Sequence, residues 1–211
     1  EDPQVFEIAL DMAKTSNPDI IFGTDPDCDR IGVVVKDSEG NYRVLNGNQT
    51  GLLLTEYILS ALKEENKLPE NGVVIKTIVT TNLANDIAKY YNVRLIEVLT
   101  GFKYIGEQIL NFETTKKGHY AFGFEESYGC LIGTHARDKD AVVATMALCE
   151  AVAYYKTKGM SLWDKMIEMY ERYGYWSDGV QSITLKGKEG IEKIQNTIEK
   201  LRENVPTEIA G

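Results

Sequence analysis

Residues 22–36, FGTDPDCDRIGVVVK, place three aspartates, Asp25, Asp27 and Asp29, at alternate positions between two apolar runs. The runs are of strand length and rich in β-branched residues, so they predict two short strands joined by an acidic loop. Two carboxylates about 4 Å apart repel by roughly 4 kcal/mol at an effective dielectric constant near 20. The three aspartates therefore require a cation unless their side chains splay into water. Because every donor is an oxygen atom, the loop predicts Mg²⁺ or Ca²⁺.

Two known acidic motifs, the EF-hand and the haloacid-dehalogenase motif, do not match the sequence of this loop. An EF-hand requires Gly after its third acidic position and Glu at its twelfth, where this chain has Arg30 and Lys36. A phosphatase of the haloacid-dehalogenase type also carries Asp-x-Asp after a strand, but its pattern requires Thr or Val in place of Asp29. A solvated acidic turn without a ligand stays open as a third interpretation. The flanking strands, and the arginine directly after the acids, favour a metal site that handles phosphate.

Strand and helix patterns alternate along the rest of the chain. Helices are predicted at 4–14, 47–66, 82–92, 103–112, 141–159, 162–174 and 190–204, and strands at 20–24, 31–36, 42–45, 72–79, 93–99, 119–124 and 180–187. Residues 125–140 are polar and Gly-rich and predict a loop. The alternation from about 46 to 172 predicts a layered α/β domain with mostly parallel strand pairing.

Composition restricts the class of protein. The chain has 211 residues, 43% of them apolar and 26% charged, which is ordinary for a soluble globular protein. A formal net charge of −9 argues against nucleic acid as a partner, and no apolar run approaches the roughly 18 residues that a membrane helix needs. Cys28, Cys130 and Cys149 form no C-x-x-C pair, which favours a reducing, cytoplasmic location. Because the chain starts without methionine, we expect a piece of a longer protein.

Four motifs resemble one family. TDPDCDR is similar to the D-x-D-x-D-R metal loop of the α-D-phosphohexomutases, the phosphoglucomutase/phosphomannomutase superfamily. TGFKYIGEQI resembles its T-G-x-K loop, GFEESYG its sugar-binding G-E-x-S-G loop, and RDKDAV its K-D-G segment. The motifs follow the family's order, although Phe124 stands where the sugar loop has its first Gly. The resemblance implies a three-layer α/β/α domain with a mixed, mostly parallel sheet and a partial domain on each side.

The resemblance also implies domain boundaries. Residues 1–46 would be the C-terminal part of domain II with the metal loop. Residues 47–172 would be domain III with the sugar-binding loop. Residues 173–211 would be a linker and the start of domain IV.

The resemblance gives the acidic loop a catalytic setting. It implies that Asp25, Asp27 and Asp29 hold Mg²⁺, and that Arg30 lies beside the transferred phosphate as a planar set of donors. Lys139 would be a second catalytic cation near substrate phosphate. Judged from the residues alone, an ordinary mixed-charge helix start stays open as another interpretation of Lys139 in RDKD.

The resemblance gives five further residues to the substrate. Glu125 and Ser127 would bind the 3- and 4-hydroxyls of the sugar, and Thr100 and Gly101 would touch its ring. Lys103 would lie near substrate phosphate. Without the family, Glu125 and Ser127 are as well explained as plain loop residues, and Lys103 is better explained as a solvated lysine.

The activity implied is the interconversion of hexose 1-phosphate and hexose 6-phosphate through an enzyme phosphoserine and a bisphosphosugar, with an activator of the glucose 1,6-bisphosphate type. The phosphoserine loop and the C-terminal phosphate-binding loop of the family are absent from the sequence, and Ser16 in KTSNPD lacks the family's histidine. We therefore expect the N-terminal phosphoserine domain and the C-terminal phosphate-binding domain to be missing partners from the same longer chain. The fragment alone should be inactive and should bind Mg²⁺ weakly.

Two alternatives stay open. One is a haloacid-dehalogenase-type sugar phosphatase with Asp25 as the nucleophile, and the other is a non-enzymatic module that binds sugar phosphate. The sequence does not distinguish glucose, mannose, pentose and amino-sugar phosphates as substrates.

Overall fold

The acidic loop connects two strands of a small antiparallel sheet near the start of the chain. A computed structural model describes residues 3–179 and 183–208, and in it a 3₁₀ helix (Pro3–Phe6) and α1 (Glu7–Ser16) precede this sheet. The sheet contains β1 (Ile20–Thr24), β2 (Ile31–Lys36) and β3 (Tyr42–Leu45), in that order. Its register pairs Thr24 with Ile31, so residues 25–30 form a hairpin connection. The three predicted strands and the predicted loop between the first two are confirmed.

A second sheet has four strands and mixed pairing. Its strands, in spatial order, are β5 (Arg94–Val98), β4 (Gly72–Thr77), β6 (His119–Phe124) and β7 (Cys130–Ile132). The central β4 pairs in parallel with β5 and β6, whereas β6 and β7 are antiparallel. The predicted mixed, mostly parallel sheet is therefore confirmed.

Helices cover both faces of the second sheet. They are α2 (Gly47–Glu64), α3 (Leu83–Tyr90), α4 (Phe102–Thr115), α5 (Ala141–Thr157) and α6 (Leu162–Tyr173). Val74 of β4 packs in the core with α2, α3, α5 and α6, whereas its neighbours Val73 and Ile75 pack with α4. Because successive strand residues point to opposite faces, the sheet is the middle of three layers, as predicted.

A capping box at Asn46 determines where α2 starts. The Asn46 side chain accepts from the Gln49 backbone N–H at 2.8 Å, and the Gln49 side chain accepts from the Asn46 N–H at 3.1 Å. This reciprocal capping box satisfies two donors that a helix start leaves unpaired. It fixes where the helix begins, and the first helical residue, Gly47, packs against the backbone of the loop that follows β6.

Two predictions about strands were wrong. Residues 125–140 were expected to be a loop, but Cys130–Ile132 form β7, which is too short for its periodicity to be visible in the sequence. The strand expected at 180–187 is absent over 183–186, and α7 (Gly187–Glu203) begins where that strand should end. Residues 180–182 lie outside the described residues. A strand requires a neighbour to pair with, and the described part of 178–208 contains only α7.

Contacts divide the chain into two units, which meet between residues 177 and 178. Both sheets and α1 to α6 belong to the first unit, and α7 belongs to the second. None of the helices within the described ranges is long and apolar enough to cross a membrane.

Candidate functional site

The acidic loop turns tightly, and this brings its carboxylates together. The Cys28 backbone N–H donates to the Asp25 carbonyl at 3.0 Å, and Cys28 adopts a left-handed conformation with φ of 59°. As a result, carboxylate oxygens of Asp25, Asp27 and Asp29 all lie within 4.8 Å of one another. Three convergent oxygen donors are the set that Mg²⁺ or Ca²⁺ prefers, so the residues present fit a hard divalent cation.

Asp25 is the most firmly held of the three acids. Its Oδ1 accepts the backbone N–H groups of Asp29 and Arg30, both at 3.1 Å, and its Oδ2 accepts from Arg30 Nε at 2.7 Å. Partial burial by itself would raise the pKa of Asp25, but the hydrogen bonds from Arg30 and Asp29 outweigh it and hold the pKa well below its ordinary value. Asp25 is thus held in a fixed orientation by hydrogen bonds that favour its ionised form.

Two cations flank the acids. Lys139 Nζ lies 2.7 Å from Asp29 Oδ2, and Arg30 Nε lies 3.5 Å from Asp29 Oδ1. The Lys139 stem crosses Gly129 so closely that a Cβ at that glycine would lie 2.0 Å from Lys139 Cδ. Burial lowers the pKa of Lys139, but its hydrogen bond and ion pair with Asp29, together with Asp138, raise it above its ordinary value overall. The side chain therefore remains an ammonium ion.

Hydrogen bonds join the acidic loop to the loop that follows β6. The Ile31 backbone N–H donates to the Tyr128 carbonyl at 3.1 Å, and Arg30 forms an isolated antiparallel bridge with Gly129. The Ala141 N–H at the start of α5 donates to the Cys28 carbonyl at 3.0 Å. The expected metal loop and the expected sugar loop are therefore neighbours in space.

Glu125 connects the same region to the loop after β5. It is 5% exposed, and its Oε1 accepts the Gly101 backbone N–H at 3.0 Å. The pKa of Glu125 lies above its ordinary value, chiefly because the side chain is buried, and the nearby Glu126 and Asp138 raise it further. The Gly101 N–H and Lys139 lower the pKa but do not cancel this rise. The charged form of this carboxylate is consequently costly unless a ligand solvates it.

The other predicted substrate residues occupy less constrained positions. Thr100 is exposed and precedes Gly101, and Ser127 is partly exposed and lies two residues after Glu125. Lys103 is exposed, and its Nζ lies over the Tyr104 ring, 4.8 Å from the ring centroid. Among the described residues, no ion pair joins Lys103 to the acidic loop or to Glu125.

Sequence reasoning missed a polar network at the carboxyl end of β4. Glu126 Oε2 accepts from the hydroxyls of Thr77 at 3.1 Å and Thr80 at 3.0 Å. Lys76 is fully buried, with its Nζ 2.8 Å from Glu97 Oε1 and 3.0 Å from the Thr80 carbonyl. A lysine inside the apolar run VVIKT, followed by a threonine-rich turn, was the available signal.

The loops share one edge of the second sheet. Thr77 ends β4, Thr100 follows β5 and Glu125 follows β6, and these three strands are parallel neighbours. The carboxyl ends of parallel strands are where open α/β sheets bind ligands. The site thus combines an acidic loop, two cations and a buried carboxylate at a sheet edge suited to a polar, anionic small molecule.

Comparisons with known proteins point to one group. The family model described as phosphoglucomutase/phosphomannomutase, alpha/beta/alpha domain III, matches residues 46–173. A phosphoglucomutase of Staphylococcus epidermidis is 38% identical over 211 residues, which are 100% of this chain and 38% of that protein. A phosphoglucomutase of Staphylococcus aureus is 36% identical over 211 residues and 37% of its own length. The chain therefore spans well under half of the curated relatives that it matches.

Solved structures agree on the fold. A candidate phosphomannomutase from Thermus thermophilus superposes with a TM-score of 0.64 at 24% identity, over 82% of this chain and 35% of that one. A phosphoglucomutase from Paramecium, pp63/parafusin, superposes with a TM-score of 0.57 at 18% identity, over 81% of this chain and 29% of that one. At these identities the likeness shows the fold alone.

Proposed function

Because the chain belongs to the phosphoglucomutase/phosphomannomutase family, we propose that it is the central part of a longer phosphohexomutase, an intramolecular phosphotransferase that interconverts hexose 1-phosphate and hexose 6-phosphate. The observation that carries the proposal is the hydrogen-bonded junction between the acidic loop and the loop of Glu125 and Ser127. We assign residues 1–46 to the end of domain II, 47–172 to domain III, and 173–211 to a linker and the start of domain IV.

Asp25, Asp27 and Asp29 would hold Mg²⁺ in this protein. A bound Mg²⁺ supplies positive charge that stabilises the oxygens of a phosphoryl group during transfer. The three carboxylates with Arg30 and Lys139 leave one net negative charge, which by itself repels a phosphate dianion. A divalent cation changes the sign of that charge, so the composition of the loop explains why a metal is needed.

Arg30 and Lys139 would both orient the phosphate, since each contacts the Asp29 carboxylate. Each is already anchored to a loop carboxylate, so it loses little side-chain freedom when it binds a phosphate oxygen. Arg30 is 43% exposed and offers a planar set of N–H donors, whereas Lys139 is 17% exposed and acts as a point charge. We assign both to catalysis.

Glu125 and Ser127 would hold the sugar. The Gly101 N–H donates to Glu125 Oε1, and within the described residues no hydrogen bond is formed to Oε2, so that oxygen can accept from a sugar hydroxyl. The Ser127 hydroxyl lies two residues further along the same loop, and Thr100 and Gly101 form the adjoining wall. Lys103 is exposed at the start of α4 and is assigned to substrate phosphate.

The remaining parts of the reaction belong to segments of the longer protein. A phosphoserine there donates its phosphoryl group to the sugar phosphate, and the resulting bisphosphosugar reorients and returns its other phosphate to the serine. A glucose 1,6-bisphosphate-type sugar would act as activator. The proposed ligands are sugar phosphates. We propose neither nucleic acid nor a membrane as a partner. The cytoplasmic location stays a prediction.

The phosphatase alternative is disfavoured by the bonding of Asp25. Both of its carboxylate oxygens accept hydrogen bonds, so neither is poised to attack phosphorus. The experiment that separates the two functions is to incubate the full-length protein with Mg²⁺ and a panel of hexose, pentose and amino-sugar 1-phosphates. Isomerisation to the corresponding 6-phosphate (or pentose 5-phosphate) supports the proposal. Release of inorganic phosphate that is abolished by Asp25→Asn would support the phosphatase instead.

The isolated 211-residue chain provides a second test. Because the proposed phosphoserine lies elsewhere, the chain alone should not turn over glucose 1-phosphate. Measurable isomerisation by the purified chain would contradict the assignment of the nucleophile to a separate segment.

A further inference from the structure

One carboxylate of the loop after β6 has no role in the proposed site. Glu126 lies between Glu125 and Ser127, the two residues that would hold the sugar. Its Oε2 accepts from the hydroxyls of Thr77 at 3.1 Å and Thr80 at 3.0 Å, and its backbone N–H donates to Thr80 Oγ1 at 3.3 Å. Both the side chain and the main chain of Glu126 therefore bind the segment at the carboxyl end of β4.

The two threonines are buried and need this carboxylate as an acceptor. Thr77 is fully buried, Thr80 is 3% exposed, and their Oγ1 atoms lie 2.7 Å apart. When one of these hydroxyls donates to the other, the second still has a proton to donate, and Glu126 is the acceptor that the described residues provide. A buried hydroxyl without an acceptor is destabilising, so the burial of the threonines maintains their contact with Glu126.

The segment after β4 is itself held on two sides. Lys76 is fully buried, and its Nζ donates to the Thr80 carbonyl at 3.0 Å and lies 2.8 Å from Glu97 Oε1 on β5. The Thr81 backbone N–H donates to Asn48 Oδ1, near the start of α2, at 3.1 Å. Because these bonds fix the segment to β5 and to α2, it is a firm support against which Glu126 holds the loop after β6.

Ser127 has no side-chain anchor of its own. Within the described residues its hydroxyl forms no hydrogen bond, so its position is set by the residues on either side. On one side the Glu126 carbonyl oxygen packs so closely on Gly47 that a Cβ there would lie 2.0 Å away. On the other side the Tyr128 carbonyl accepts from the Ile31 N–H at 3.1 Å. The placement of Ser127 therefore depends on the contacts of Glu126 and on the acidic loop.

We propose that Glu126 is a positioning residue of the sugar site. By fixing the loop after β6 to the carboxyl end of β4, it sets where the Glu125 carboxylate and the Ser127 hydroxyl stand. Its Oε2 is bound by the threonines, so it acts through the loop and not by contact with the sugar. This inference rests on the proposed function, because it assigns a role within the same site. The acidic loop has its own hydrogen bonds, so loss of Glu126 should weaken sugar binding and leave the metal affinity unchanged.

The test is steady-state kinetics of the full-length protein, with whichever hexose, pentose or amino-sugar 1-phosphate the wild type isomerises fastest. Glu126→Ala should raise KM about tenfold or more and change kcat less, because the sugar contacts that it loosens are made in the substrate complex and in the transition state alike. Thr80→Val should also raise KM. The double variant should be no worse than Glu126→Ala, since both changes remove the same contact. The Mg²⁺ concentration that gives half the maximal rate should stay the same in all three variants.

Two conservative variants and one matched control separate positioning from folding. Glu126→Gln keeps an acceptor oxygen on a side chain of the same length, and Thr80→Ser keeps the hydroxyl, so each should stay within about threefold of the wild-type KM. Thr55→Val removes another buried hydroxyl, which donates to the Gly51 carbonyl at 2.7 Å inside α2, and should lower the melting temperature without raising KM. A variant that only folds less well loses active enzyme, which lowers kcat and leaves KM unaltered.

The proposal is overturned if Glu126→Ala leaves KM within about threefold of the wild-type value or lowers kcat alone. It is also overturned if Glu126→Gln is as impaired as Glu126→Ala, because the charge and not the contact would then matter. Failure of the proposed function is recognised separately, from the wild type. A wild type that binds these sugar 1-phosphates in calorimetry without isomerising them overturns the proposed function, and the dissociation constants of the same variants then test the role of Glu126. A wild type that neither isomerises nor binds any of them overturns both.

Discussion

Replacing Lys139 with Met should tighten the binding of Mg²⁺ to the acidic loop. Lys139 Nζ lies 2.7 Å from Asp29 Oδ2, so its charge competes with a divalent ion for that carboxylate. An ion bound to the same oxygen at about 2.1 Å would lie at most about 5 Å from the ammonium. A double and a single charge at about 5 Å repel by about 1.7 kcal/mol in water, and by about four times as much at an effective dielectric constant near 20. Because the site is open to solvent, we take the lower figure and expect an affinity gain of about ten- to twentyfold.

Calorimetric titration of the 211-residue chain with Mg²⁺ measures this gain. Methionine keeps the aliphatic stem that packs over Gly129, so the change removes mainly charge. Lys103→Met is the matched control, since it removes the same charge from an exposed lysine with no carboxylate partner among the described residues, and it should leave the affinity unaltered. An unchanged or weaker Mg²⁺ affinity in Lys139→Met would refute the reasoning that this lysine and the metal compete.

Three further predictions concern stability. In Gly51→Ala the new Cβ would lie 1.9 Å from the ring of Phe124, so we expect a loss of about 1–3 kcal/mol in urea unfolding. Glu125→Gln should raise the melting temperature at neutral pH, because burial raises the pKa of Glu125 above its ordinary value and the wild type loses stability as the pH rises through that raised pKa. The gain should vanish at a pH below the ordinary pKa of a glutamate carboxyl, where the wild-type side chain is also neutral. On the proposed function, the affinity for sugar phosphate should fall, because Gly101 and the sugar would share this carboxylate. Glu56→Ala removes the fully buried carboxylate that lies 2.9 Å from Lys165 Nζ and leaves that buried lysine only Glu168, at 3.3 Å, so it should cost about 3–5 kcal/mol in the same unfolding assay.

Each of these changes has a matched control. Gly179→Ala adds a Cβ that meets nothing within 4 Å and should be neutral. Glu107→Gln and Glu70→Ala alter exposed carboxylates and should shift stability by less than about 0.5 kcal/mol. The argument for Gly51 is contradicted if Gly51→Ala leaves the stability unchanged. The argument for Glu125 is contradicted if the stability gain of Glu125→Gln persists at low pH. The argument for Glu56 is contradicted if Glu56→Ala lowers the stability no more than Glu70→Ala does.

Local pattern was enough to predict much of the fold. The apolar runs beside Asp25 and Asp29 predicted β1 and β2, because buried strands require unbroken apolar sequence and a charged loop must leave the core. The helix start at Asn46 was readable because capping is a local interaction between residues three apart. The strand β7 (Cys130–Ile132) was not predicted, because three residues show no alternation of apolar and polar side chains. It is a strand only because it pairs with β6.

The site was less readable than the fold. The convergence of three aspartates follows from their spacing, but the contact of Lys139 with Asp29 depends on a chain reversal that no local pattern specifies. The contact between Glu125 and Gly101 likewise results from the parallel order of β5, β4 and β6. Glu126 was missed because its partners Thr77, at the end of β4, and Thr80, in the turn after β4, are 49 and 46 residues away in the sequence.

The most direct test of the central claim is whether the acidic loop and the sugar loop form one site. NMR titration of the chain with glucose 1-phosphate in the presence of Mg²⁺ should shift the amides of residues 25–30, 100–101 and 125–129 together, with one apparent dissociation constant. Asp27→Asn should weaken the response of all three segments at once. If the acidic loop responds to Mg²⁺ while the other two segments show no response to the sugar phosphate, or respond independently of Asp27, the two loops do not form a single sugar-phosphate site.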